Sequence, residues 1–84
     1  MQNAAVVYIV FSYPDDPLIR ASLREFRVYP VDDYQERLAP PVTISPGAIP
    51  TAENPFPITM PIGATEVEVV AVDLDGNESV SVYA

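Results

Sequence analysis

The sequence predicts an all-β domain folded as a small antiparallel β-sandwich, and three observations carry that expectation. Two β-branched runs, Glu66 to Asp73 and Val80 to Tyr83, flank a short Asp-Gly-Asn link. There Gly76, and if needed Asn77, can take the positive φ that a tight hairpin turn demands. Proline density and β-branching leave no window of about ten residues with a 3.6-residue apolar stripe, so no long helix is expected. Six or seven short strand-like segments recur at roughly ten-residue spacing between proline and aspartate punctuation, which is the pattern of a sandwich. At this size a small barrel is the alternative.

The first strand is expected over Ala5 to Tyr13, with Val7, Ile9 and Phe11 on one face and Val6, Tyr8 and Val10 on the other. Pro14-Asp15-Asp16-Pro17 ends it, because prolines deny the ladder its donors and aspartates favour turns. Ile19 to Leu23 reads as the approach to a second strand, Arg24 to Val31, in which Phe26 and Val28 oppose Arg27 and Tyr29 with period two. Asp32-Asp33 closes that strand. Tyr34 to Leu38 fits either a short edge strand or one helical turn, and Ala39-Pro40-Pro41 interrupts it. Short edge strands are expected near Val42 to Ser45 and Phe56 to Met60, spaced by Pro46, Pro50, Pro55, Pro57 and Pro61.

Eighty-four residues make one domain, 1–84, near the lower end of what folds around a single core without staples. With 49% hydrophobic residues the chain lies outside the disordered regime, and no apolar run is long enough to span a bilayer as a helix. Residues 4 to 11 are apolar but lack the preceding positive charge and the small-residue cleavage site of a signal peptide, so they read as a core strand. A net charge of −8, with four arginines and no lysine, argues against nucleic acid or an anionic membrane as a partner. The absence of histidine and cysteine removes disulfides, thiolate metal sites and the commonest nucleophile and general base. No catalytic, cofactor-binding or metal-binding residue is assigned.

Three side-chain groups carry residue types that could do chemistry. Asp73-x-Asp75-Gly76-Asn77-Glu78 has the oxygen-rich character of a calcium loop, but its glycine is fourth rather than sixth, and a plain hairpin turn accounts for it. Asp15-Asp16 and Asp32-Asp33 could supply an acid and a base, yet both pairs sit in expected turns, where aspartate bonds its own backbone. Arg20, Arg24, Arg27 and Arg37 cluster in one part of an acidic chain and are expected to pair with nearby acids such as Glu25, Asp32 and Asp33.

The residues that stand out are apolar ones on faces that should meet solvent. If Val7, Ile9 and Phe11 point inward, Tyr8 and Val10 point outward from one sheet. If Val67, Val69 and Ala71 point inward, Val70 and Val72 point outward from the other, with Tyr29 and Val31 beside them. Contiguous apolar patches of this kind mark protein contacts, although valine and tyrosine are also simply good strand formers.

The stretches Val7-Tyr8-Ile9-Val10-Phe11-Ser12-Tyr13-Pro14, Leu23-Arg24-Glu25-Phe26-Arg27-Val28-Tyr29, and Ile62-Gly63 through Ala71-Val72-Asp73-Leu74-Asp75-Gly76-Asn77-Glu78-Ser79 together resemble strands B, C, F and G of a fibronectin type III or immunoglobulin-like domain. The resemblance spans most of the chain except residues 34 to 58. Phe11 stands nearest the family's strand B tryptophan, and Thr65 stands where its tyrosine corner would be. Little chain precedes Val6, so the family's first strand is expected to be short or missing, which would leave a sheet edge open to a partner. The resemblance implies an adhesion, spacer or docking module by analogy alone.

The expected function is therefore a non-enzymatic interaction module bound to a protein partner or scaffold, a homo-oligomer being one form of this. A chain that opens on methionine and closes on a complete final strand suits a free-standing small protein. A subunit of a larger assembly is expected, such as a phage virion decoration or tail accessory protein. The alternative is a bacterial surface or secreted adhesion module that binds glycans through Tyr13, Tyr34 or Phe56.

Overall fold

A computed structural model describes residues 5–79 and 81–83. Its elements are β1 (Ala5–Ile9), α1 (Pro17–Ala21), β2 (Leu23–Val31), β3 (Val42–Ile44), a 3-10 turn (Pro46–Ala48), β4 (Phe56–Met60), β5 (Glu66–Asp73) and β6 (Val82–Tyr83). They form two antiparallel sheets, β1–β4 and β3–β2–β5–β6. Val80, expected in the last strand, and Ala4, in the first apolar run, lie outside the described residues.

One core lies between the sheets. Leu23, Phe26 and Val28 of β2, Ile44 of β3 and Val67 of β5 meet Ile58 and Met60 of β4, with Val7, Ile9, Phe11 and Tyr13 packed against them. The Phe26 ring meets those of Phe11 and Tyr13 in T-shaped contacts, with centroids 4.9 and 5.1 Å away. Such T-shaped pairs add roughly 0.5–1.5 kcal/mol to the burial itself. Leu23 joins this face out of simple alternation because a bulge shifts the β2–β5 register between Leu23 and Glu25.

β1 ends at Ile9, four residues before the expected limit at Tyr13. Continued in register, Phe11 would pair with Asn54, but Asn54 donates its N–H to Thr51 O at 3.0 Å in a closed turn. Residues 17 to 21 form one short helix, capped where Leu18 N donates to Asp16 Oδ1 at 2.9 Å and with Pro17 in its first turn. Tyr34 to Leu38 is neither a regular strand nor a helical turn. It folds back on the end of β2, with Leu38 N donating to Pro30 O, Gln35 at φ 63° and an isolated bridge between Val31 and Arg37. The expected strand at Phe56 to Met60 is found at those limits, and that at Val42 to Ser45 ends one residue earlier. In the β5–β6 link Gly76 takes positive φ, at 88°, and no such value falls on Asn77.

Candidate functional site

Of the six residues expected on apolar outer faces, the structure leaves two open. Tyr8 is 67% exposed and Val10 51%, and Val6 beside them is 53% exposed. Val7 and Ile9 turn toward the core between them, as the alternation requires. Pro57 and Thr59 of β4, opposite Tyr8 and Val6, are exposed on the same side. The outer face of the two-stranded sheet is thus a mostly apolar surface without a charged residue on either strand.

Tyr29, Val31, Val70 and Val72 do point away from the main core, but they are not open to solvent. They form a second buried cluster, with Tyr83 packed against it. The expectation of an open patch here is corrected, because charged side chains roof it. The Arg37 guanidinium lies 3.7 Å above the centre of the Tyr29 ring. From there its Nε donates to Glu68 Oε1 at 2.8 Å and its Nη2 to Glu78 Oε1 at 3.1 Å. Arg27 donates to Glu25 Oε2 at 2.7 Å and lies 3.6 Å from Glu78. Ser81, Tyr83 and Tyr29 complete the network by donating their hydroxyls to Glu68, Glu68 and Glu78. Long arginine stems cover apolar surface in this way while their heads stay paired.

The electrostatics follow from this geometry. The Arg37 hydrogen bonds hold the Glu68 carboxyl below its usual range despite the opposing effect of burial, and the Ser81 and Tyr83 hydroxyls add to the lowering. Glu78 is lowered first by Arg37 and then by the Tyr29 hydroxyl. Arg37 is pushed the other way, chiefly by its bond to Glu68. Among the described residues no buried side-chain polar atom lacks a partner, so the network is internally satisfied.

The aspartates serve turns. Asp16 caps α1, and Asp15 is fully exposed with Arg20 4.0 Å away. Asp32 Oδ1 accepts from Tyr34 N and Glu36 N at 2.8 and 3.0 Å. Asp73 Oδ1 accepts from Asp75 N and Asn77 N, both at 2.9 Å, and these backbone bonds lower its pKa. Among the described residues no three acidic side chains are grouped to hold a metal ion. The expected pairing of Arg24 with Glu25 is replaced: Arg24 donates to Leu74 O at 2.8 Å, while Glu25 takes Arg27. The three aromatics of the glycan alternative do not share a surface. Tyr13 packs on Phe26 near the start of β2, Phe56 packs on the core, and Tyr34 is 86% exposed beyond the other end of β2.

Sequence reasoning missed Val6 as a member of the open face, and it missed the Arg37–Glu68–Glu78 roof. The signal for the roof was Glu68 itself, a carboxylate at the alternation position shared with Val70 and Val72. No family model matches this chain, and neither curated proteins nor solved structures provide a match that bears on it.

Proposed function

We propose that this chain is a non-enzymatic docking module of the immunoglobulin-like or fibronectin type III kind, acting as a subunit of a larger assembly such as a phage virion decoration or tail accessory protein. The strand order supports the fold part of that reading. Taking β1, β2, β5 and β6 as strands B, C, F and G, the sandwich family pairs B with E in one sheet and C, F, G in the other. The orders β1–β4 and β2–β5–β6 correspond, with β4 in the place of E and β3 added beside C.

The observation that carries the docking part is the open apolar face of Val6, Tyr8 and Val10 on an otherwise strongly acidic chain. The other apolar outer cluster is roofed by the protein's own arginines, and this one is not. Sedimentation of material from the native source tests the reading. The chain is expected in a high-mass particle fraction. A Val6→Lys, Tyr8→Lys double variant, altered only at exposed positions, is expected to move to the free fraction with its thermal midpoint within a few degrees of wild type. A chain found only in the free fraction would overturn it.

A further inference from the structure

The backbone edge of β1 carries an inference that goes deeper than its side-chain face. Among the described residues β1 pairs with β4 alone, so both strands of this sheet have an outer edge. Tyr8 stands opposite Pro57 in the ladder. Proline has no N–H, so that pair cannot exchange ladder hydrogen bonds, and by antiparallel alternation neither can Val6 with Thr59. The ladder bonds therefore fall at Ala5, Val7 and Ile9. The N–H and C=O groups of Val6 and Tyr8 face the open edge, and neither residue makes a backbone bond elsewhere among the described residues.

The other sheet edges are blunted. β4 turns the nitrogen of Pro57 to its free side and is flanked by Pro55 and Pro61. β3 is three residues long between Pro41 and Pro46, and β6 has two residues. Such devices keep edges from pairing with other chains, and β1, with neither proline nor charge from Ala5 to Ile9, has none of them.

A groove runs beside this edge. A cavity of about 510 Å³ is lined by Ile9 and Phe11 on one side, Val67, Val69 and Ala71 on its floor and Val82 of β6 on the other, and by no residue of β4. It shares Ile9 and Val67 with a second cavity of about 330 Å³ that extends along β1 past Val7. A strand added to β1 would place alternate side chains over these cavities while its backbone met Val6 and Tyr8.

We propose that the β1 edge accepts an extended segment of a partner chain as an added strand, with apolar side chains at alternate positions and neutral or basic residues between them. This rests on the docking reading above for the existence of a partner. A second copy fits less well. Its own Val7 and Ile9 are engaged in its own core and cannot also fill the groove, and two chains of charge −8 repel. A basic strand meets the opposite condition.

Hydrogen exchange read by NMR tests the proposal on the intact chain, using a synthetic peptide of alternating valine and threonine with a lysine at each end. The control is the same peptide N-methylated along one backbone edge. At ten times its Kd the unmodified peptide is expected to slow the Val6 and Tyr8 amides by about tenfold, while leaving those of Val7 and Ile9 little changed. A Tyr8→Pro variant keeps the β1–β4 bonds, as Pro57 does opposite, and is expected to fold and to lose the peptide. Three results would overturn the proposal: no slowing at any peptide concentration, equal slowing by the N-methylated peptide, or slow Val6 and Tyr8 amides without peptide in a protein of doubled solution mass. If the peptide fails while particle association persists and is abolished by the Tyr8→Lys change, the strand proposal falls and the docking face stands.

Discussion

Replacing Arg37 with alanine should be the most damaging surface substitution in this protein. The change removes both bonds to Glu68, the bond to Glu78 and the cation over Tyr29, and leaves Glu68, itself 5% exposed, with only the Ser81 and Tyr83 hydroxyls. Stripping the partner from a fully buried charge costs about 3–5 kcal/mol. The Arg37 side chain is 39% exposed, so water screens part of the pair and can enter once it is gone. Discounting by about half and adding about 0.5–1 kcal/mol for the stacked cation gives a loss of about 2–3.5 kcal/mol. A domain of this length has about 4–13 kcal/mol in all, so the loss is a large share. Urea denaturation at pH 7 should show it as a lower midpoint with an unchanged slope, by about 2 M if the slope is about 1 kcal/mol per M. A double-mutant cycle with Glu68→Ala should return a coupling of at least about 1 kcal/mol. A loss below about 0.5 kcal/mol, or additive single changes, would refute the view that this network roofs the second cluster.

Acid should weaken the fold through the same groups. Glu68, Glu78 and Asp73 have depressed folded-state pKa values, so their contribution is present above the unfolded carboxyl range and is lost as pH falls through the folded values. Urea midpoints at pH 7, 5, 4 and 3 are expected to hold to about pH 5 and then drop, with a smaller drop in Glu68→Gln, and equal drops in both proteins would contradict the assignment. Ile58→Ala, at a position 1% exposed where β4 meets the core, is expected to cost about 2–5 kcal/mol by denaturant titration, and a cost below about 1 kcal/mol would mean the sheets are not packed there as described. Gly76→Ala meets open space but keeps φ at 88°, so its expected loss of about 1 kcal/mol would come from backbone strain alone, and a neutral result would show that the turn relaxes.

The strands were legible wherever local chemistry decides them. Phe56 to Met60 has its limits set by flanking prolines, Glu66 to Asp73 by β-branching and the turn at Gly76, and the inward set Val7, Ile9, Phe26, Val28 and Val67 follows from period two. The end of β1 was not legible, because it depends on a turn at Thr51–Asn54 more than forty residues away in the chain. The docking candidates divide by the same rule. Tyr8 and Val10 are exposed because no other described residue reaches over them. Tyr29, Val31, Val70 and Val72 are buried because Arg37, six residues past Val31, folds back over the sheet to meet carboxylates thirty and forty positions on.

That difference also explains why one sheet face could evolve to be closed and the other open. The face carrying Tyr29 and Val70 includes a carboxylate in its own strand, Glu68, paired across the ladder with Tyr29 and with Tyr83. A carboxylate among valines is unfavourable unless a cation arrives, and the arrival of Arg37 brings a stem and a planar head that cover the neighbours as well. The β1–β4 sheet has no charged residue in either strand, so nothing draws an arginine over Val6 and Tyr8. All four arginines are engaged elsewhere, at Asp15, Leu74, Glu25 and Glu68, so none of them covers that face or its edge among the described residues. A Thr59→Glu change puts a carboxylate directly opposite Val6 on the exposed face. It is expected to leave the urea midpoint within about 0.5 kcal/mol of wild type, because position 59 is exposed, while weakening association with the native particle. Unchanged particle association would place the contact away from this sheet.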